Sequence, residues 1–460
     1  MSGPARLTTG HPGLDAVLDG GLPAHAIHLV FGAPGTGKTV FAEQLVFANA
    51  TRERPAVYLT TLSEPFAKTL GYLQGFAFFD PERLGTAVHY EDVGPLLAAE
   101  GPERLLGTIE RLLTTRRPAI LVVDSFKAVQ DLQPSLPERR RWLYRLAGLL
   151  SAYRVTTLWL GEYGPEDLVT QPEFAVADGS LEFVRLPAGL REARYLRVHK
   201  LRGSGFRSGA HAVTISGSGL AVWPRVVTPP LPPAYAPVRE RLATGVPGLD
   251  ALVEAGFWRG STTLVAGPSG SGKTALALHF ALEGARRGEP SLFVHLQENP
   301  TQLAQILAGF GEDPAALAAS GALAFLYQSP VELQVDAFMH QVFARLDATG
   351  ARRLVVDALG DLAAACGDPQ RFRDYLYAAV QHCAVRNIAC LLTLETSNLL
   401  GTDRLSADGG LSSVCDNIIL LDLQIGGRTE RRLRVLKTRG SAHDPTERRL
   451  TITREGLRVE

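Results

Sequence analysis

The chain has 460 residues and no net charge: Lys plus Arg total 47, Asp plus Glu total 47. The long-range positive field of a dedicated nucleic-acid binder is therefore missing. Basic clusters remain at residues 139–141, 431–432 and 448–449. No zinc-finger or RNA-binding aromatic pattern accompanies them, so nucleic acid is not expected as the principal partner. Also missing is any apolar run near the roughly 18 residues of a membrane helix, and the opening MSGPARLTTGH lacks a signal peptide's apolar core. A cytoplasmic protein with no membrane attachment is expected. Cysteine is scarce. Cys366, Cys383, Cys390 and Cys415 all lie in the second half with no CxxC spacing, which suits small buried hydrophobes in a reducing compartment.

What is present is a phosphate-binding pattern, written twice. GAPGTGKT occupies residues 32–39 and GPSGSGKT residues 267–274. Gly32, Gly35, Thr36 and Gly37, and in the second copy Gly267, Gly270, Ser271 and Gly272, let backbone N–H groups curl around phosphate oxygens. Lys38 and Lys273 reach the β- and γ-phosphates, and Thr39 and Thr274 offer hydroxyls to Mg²⁺. An isolated match can be a glycine-rich turn. Here AIHLVF or STTLVA precedes each loop and a helix-compatible run follows it, the strand–loop–helix context that the chemistry needs. Two ATP sites are expected.

The repeat extends beyond the loops. Arg6, Leu7, Thr9, Gly10, Pro12, Gly13, Leu14 and Asp15 recur 235 residues on as Arg241, Leu242, Thr244, Gly245, Pro247, Gly248, Leu249 and Asp250, the same interval that separates Lys38 from Lys273. A period this long marks duplicated domains, not a solenoid. TPPLPPAYAP at residues 228–237 is too proline-rich for a helix or central strand and reads as a stiff connector. The expected domains are 1–227 and 238–460.

PAILVVD ends at Asp124 and ARRLVVD at Asp357, each an apolar run capped by a carboxylate, as in a Walker B strand. Such a strand is buried on both faces, and its terminal carboxylate is placed to hold Mg²⁺. Hydrolysis also needs a group that addresses water. Glu64, after AVYLTTLS, and Glu298, after SLFVHLQ, are the candidates; the other reading of each is an acid supporting the N-terminus of the next helix.

Together these elements resemble a known family, the RecA-like ATPases of the KaiC type. The likeness covers nearly the whole chain and includes the opening motif TGHPGLDAVLDGGLP and a closing KxRG element, KLRG at residues 200–203 and KTRG at residues 437–440. It implies an α/β chain of two tandem RecA-like P-loop domains, each a mostly parallel sheet flanked by helices. It also implies ATP and Mg²⁺ as cofactors, and self-association into a homo-hexameric ring that acts with signalling partners or in clock-like regulation. By the same resemblance Lys200, Arg202, Lys437 and Arg439, with His443, touch the nucleotide of a neighbouring subunit; a solvated basic hairpin is the other reading.

The chain departs from the family pattern in two places. Where the family has two adjacent glutamates after the second strand, this chain has Ser63 then Glu64, and Gln297 then Glu298, so slow hydrolysis is expected. The family's Ser/Thr phosphoacceptor pair aligns with Ser412 and Ser413, while the first domain has Phe174 and Ala175; autophosphorylation is thus conceivable only in the second domain, and turn hydrogen bonding is the alternative for those hydroxyls. Two other functions stay open: a recombinase or helicase relative acting on DNA, and a nucleotide-gated scaffold with little hydrolysis.

Overall fold

The computed structural model describes residues 5–61, 66–133, 135–188, 191–233, 235–396, 411–424, 429–454 and 456–460. The chain divides into two compact units, Met1–Arg225 and Val226–Glu460. Among the described residues, no helix is long and apolar enough to cross a membrane.

In the first unit, β1 (Ile27–Phe31) leads through the phosphate loop into α1 (Lys38–Asn49), followed by β2 (Ala56–Thr60), β3 (Val88–Asp92) and β4 (Ile120–Asp124). Next come α2 (Phe126–Asp131), β5 (Thr156–Gly161), α3 (Pro172–Val176) and the strands β6 (Gly179–Ala188), β7 (Arg191–Leu201), β8 (Ala210–Ser216) and β9 (Gly219–Trp223). One nine-stranded sheet results, ordered β9-β8-β7-β6-β1-β5-β4-β2-β3. The six strands from β6 to β3 are parallel, and the rest are antiparallel.

Parallel strands covered by helices on both faces read as unbroken apolar runs, and all five residues of β1 are buried. Side-chain alternation sends Leu29 and Phe31 into one core with Val123 and Trp159. Val30 goes to the opposite core with Phe41, Val122 and Leu160.

The second unit repeats the plan with β10 (Thr262–Gly267), α4 (Lys273–Arg286), β11 (Ser291–His295), β12 (Leu323–Tyr327) and β13 (Arg353–Asp357). It continues with α5 (Leu359–Cys366), β14 (Ala389–Glu395), α6 (Leu411–Val414), β15 (Asn417–Gln424), β16 (Glu430–Thr438), β17 (Arg448–Thr453) and β18 (Gly456–Val459). Its sheet is ordered β12-β11-β13-β14-β10-β15-β16-β17-β18. All four cysteines are buried with free thiols. In both units the phosphate-loop strand neighbours β5 or β14, and the aspartate-tipped strand lies one place further out, so both strand ends reach the same sheet edge.

Candidate nucleotide sites

Each phosphate loop is shaped by glycine. At Gly32 (φ +142°) a Cβ would stand 1.9 Å from the Phe183 carbonyl oxygen, so no side chain fits. Gly37 and Gly272 take φ of 111° and 104° as the residues before α1 and α4. Neither helix has a side-chain cap, which leaves first-turn N–H groups directed at the loop. The helix after β11 differs: Asn299 and Gln302 close a full capping box there. That also bears on Glu298, because Asn299 does the capping that was the alternative reading of the glutamate.

Lys38 Nζ donates to the carbonyls of Gly32 and Ala33, both at 2.9 Å. Lys273 Nζ donates to Pro268 O at 2.9 Å and lies 3.9 Å from Glu395 Oε2. Burial lowers both amine pKa values, opposed by Glu162 and Asp124 in the first site and by Glu395, Asp357 and Glu298 in the second. Lysines so placed are short-range cations ready for phosphate.

Thr39 and Asp124 meet: the Thr39 hydroxyl donates to Asp124 Oδ2 at 3.0 Å, and the Tyr58 hydroxyl donates to the same oxygen at 2.9 Å. A cavity of about 490 Å³ opens here, lined by Lys38, Thr39, Tyr58, Asp124, Lys127 and Glu162 among others. In the second site the Thr393 hydroxyl donates to Asp357 Oδ1, while Asp357 Oδ2 is buried with no hydrogen-bond partner. A hydroxyl beside a carboxylate, and a buried carboxylate oxygen left over, are the donors that a hard cation such as Mg²⁺ takes, so these residues fit that ion. Among the described residues, no group of three or more His, Cys, Asp or Glu forms a metal cage; Mg²⁺ bound through one or two protein groups plus phosphate needs none.

Of the two water-addressing candidates, Glu64 lies outside the described residues. Glu298 is half-buried, its carboxyl pushed above the usual range by burial and by Asp357 and Asp361. Its loop is anchored twice: His295 Nδ1 donates to Glu298 O at 2.7 Å, and Leu296 N–H to Asp357 O at 2.9 Å.

The closing elements hold the C-terminal ends of short helices in their own domain. Lys200 Nζ donates to the carbonyls of Phe174 (3.0 Å), Ala175 (3.2 Å) and Ala177 (2.6 Å), and Arg202 to Ala175 O (3.0 Å) and Asp178 Oδ1 (3.3 Å). Lys437 donates to the carbonyls of Ser412 and Cys415, both at 2.7 Å, and Arg439 to Ser413 O (3.3 Å) and Asp416 Oδ1 (3.2 Å). Cations capping α3 and α6 are a local reason for this motif. His443 Nδ1 is 2.9 Å from the Thr438 hydroxyl. Ser412 is half-buried and Ser413 exposed on α6.

Four features escape the sequence motifs. Glu162 and Glu395 stand at the ends of β5 and β14 beside the lysines. Tyr58 stands under Asp124. In both domains an arginine from the last long hairpin reaches the loop: Arg194 Nε approaches Gly35 O at 3.5 Å, and Arg431 Nε donates to Gly270 O at 3.0 Å. Asp361, in the first turn of α5, keeps a buried Oδ2 without a partner. Equal spacing to the closing lysines, Arg194 to Lys200 and Arg431 to Lys437, could have flagged the arginines.

Fold and site together define a duplicated P-loop nucleotide hydrolase of RecA type. The chain matches the family described as "ATPase: KaiC" over residues 7–227 and 242–460, and it belongs to that family and is an ATPase. The circadian clock oscillator protein KaiC of Picosynechococcus sp. is 26% identical over 472 residues, covering 100% of this chain and 90% of the relative. The protein of the same description from Thermostichus vulcanus is 28% identical over 469 residues, covering 97% and 87%.

Proposed function

We propose that both sites bind ATP with Mg²⁺, and that Lys38 and Lys273 hold its phosphates while Thr39, Asp124, Thr274 and Asp357 hold the cation. The observation that carries this reading is the hydrogen bond from the Thr39 hydroxyl to Asp124 Oδ2 at 3.0 Å, which joins the phosphate loop to the aspartate-tipped strand. The cation supplies charge neutralisation to the phosphate oxygens. The protein supplies position: uncapped helix ends and glycine N–H groups orient the phosphates, and the partly desolvated lysines stabilise charge that moves onto the leaving oxygen. Glu64 and Glu298 address water. Glu64→Gln combined with Glu298→Gln should abolish turnover, and unchanged turnover would remove both from this role.

Lys200, Arg202, Lys437, Arg439 and His443 reach a neighbouring copy's nucleotide in a homo-hexameric ring, the lysines and arginines leaving the helix carbonyls that they hold in the single chain and His443 leaving the Thr438 hydroxyl. A head-to-tail ring of this kind closes when the subunit rotation permits. The relatives' description as clock oscillator proteins supports a role in signalling or timing, with ATP state changing the surface that the ring shows to cytoplasmic partners. Ser412 and Ser413 are candidate acceptors for a phosphoryl group. Native mass with ATP and with ADP, on the wild type and on Lys38→Ala and Lys273→Ala, tests the ring: a hexamer is expected with ATP, and a monomer under every condition overturns it. Labelled ATP followed by mapping tests the serines. Label that survives Ser412→Ala/Ser413→Ala lies elsewhere.

A further inference from the structure

We infer that Glu162 and Glu395 compete with the terminal phosphate for the phosphate-loop lysine, and so set how strongly each site prefers ATP or ADP. The inference rests on the reading that both loops bind nucleotide. Three observations carry it. The two glutamates occupy matching places in both domains, Glu395 as the last residue and Glu162 as the residue just after the strand lying between the phosphate-loop strand and the aspartate-tipped strand. Glu395 Oε2 is 3.9 Å from Lys273 Nζ, and Glu162 lines the cavity with Lys38. Each strand end is also tied to the start of the phosphate loop, through Gly32 N–H to Gly161 O at 3.3 Å and Thr396 N–H to Gly267 O at 3.1 Å.

The consequence follows from charge. Without nucleotide Glu395 pairs with Lys273, and Glu162 and Asp124 are the acids whose charge acts on Lys38. When a triphosphate arrives, the amine turns to the β- and γ-oxygens, and the carboxylate is left facing a like charge. ADP places less negative charge there. The glutamate therefore weakens ATP binding more than ADP binding, and its repulsion helps phosphate to leave after cleavage. Because the strand end is bonded to the loop, the backbone that carries the carboxylate keeps its place beside the phosphate loop.

The sign of this effect separates it from a structural role, since removing a supporting residue would weaken binding. In a Lys273→Ala chain, which isolates the first site, Glu162→Gln should tighten binding of Mg²⁺ with the β,γ-imido analogue of ATP about fivefold. ADP affinity should change less than twofold, and with ATP both KM and kcat should fall. Glu395→Gln should do the same in a Lys38→Ala chain. Glu162→Asp and Glu395→Asp keep the charge and should retain the wild-type ratio of ATP to ADP affinity. Unchanged or weaker analogue binding in the Gln variants overturns the inference alone, as does equal tightening of both nucleotides. A background chain that binds no nucleotide at its remaining site overturns the two-site reading, and the inference at that site with it.

Discussion

The two domains share a phosphate loop and differ in what lies beneath it. In the first, Asp124 Oδ2 takes hydrogen bonds from Thr39 and Tyr58, the Tyr58 and Tyr90 rings lie 5.3 Å apart, and Tyr90 donates to Glu43 at 2.6 Å. Glu43 is fully buried one turn into α1. The matching positions of the second domain are Leu278, Phe293 and Phe325, all apolar. There Asp357 relies on Thr393 and keeps an unpartnered oxygen. The charges around the lysines differ too. Lys127 lines the first cavity, whereas Gly360 takes its place in the second and Asp361 follows it. The groups that face phosphate have been kept, and the floor that supports the cation has diverged, so the two sites should differ in metal demand and in pH response more than in which nucleotide they accept.

The largest effect should come from the lysines. Lys38→Ala and Lys273→Ala each remove a cation from a partly desolvated site, and each should cut its own domain's turnover by about 100-fold or more. Steady-state ATPase of each variant then reports the other domain alone. If either single variant lost all activity, the domains would not be independent.

The next effect concerns pH. Burial pushes the Glu43 carboxyl up to about 8, with Asp124 adding to the rise. The folded first domain therefore keeps a proton there that the unfolded chain gives up near 4.5, so the associated stability is full at low pH and is lost as pH rises through 8. His28 opposes this at the acid end: burial lowers it to about 4, so its contribution is present above 6.5 and is lost as pH falls. Between pH 6.5 and 8 the Glu43 contribution falls without opposition from His28. Stability of the first domain should fall there by about 2 kcal/mol, and Glu43→Gln should flatten the slope. Hydrogen exchange of peptides covering Ala56–Thr60 in the intact chain checks this. In the second domain Leu278 and Thr263 replace Glu43 and His28, so the equivalent peptide should not respond to Glu43→Gln.

Metal removal should separate the sites as well. Glu395, Asp357 and Glu298 act on Lys273, Asp361 adds to the same acidic group, and burial and mutual repulsion raise the pKa of Glu298 and of Asp361. Mg²⁺ relieves that repulsion, so chelation should weaken ATP binding about tenfold more at the second site than at the first, where Lys127 shares the load. Equilibrium binding with EDTA in the Lys38→Ala and Lys273→Ala chains measures the difference, and equal losses would show that the extra carboxylates do not face the nucleotide.

Much of this was readable from sequence. The loops, the aspartate-tipped strands and the closing elements are contiguous patterns, and their residues sit where strand–loop–helix logic puts them. The capping box at Asn299 was readable too, because Asn followed three residues later by Gln is a local signal. Glu162, Glu395, Tyr58 and Thr393 were not. Each is an ordinary residue in or just after a strand until parallel pairing brings that strand's end to the loop, as Tyr58 reaches Asp124 only because β2 pairs with β4 in the register Thr60 to Asp124. Lys200 and Lys437 were legible as a motif, but their hold on helix carbonyls depends on β7 and β16 folding back over α3 and α6.

The smallest effect should come from Tyr58→Phe, which installs what the second domain has at Phe293. The ring stays and one donor to Asp124 goes, so a modest stability loss of about 1 kcal/mol is expected. Function should move the other way. A carboxylate oxygen that accepts from two hydroxyls is partly satisfied before any cation arrives, and with Tyr58 gone only Thr39 remains of those two. Asp124 then offers more to Mg²⁺, and half-saturation of first-site ATPase should need two- to threefold less of the ion, an effect near 0.5 kcal/mol. Phe293→Tyr in the second domain should do the reverse if its hydroxyl reaches the unpartnered Oδ2 of Asp357. Opposite shifts from the paired substitutions would place the difference between the sites in this one hydroxyl; shifts of the same sign would assign it to the surrounding charges.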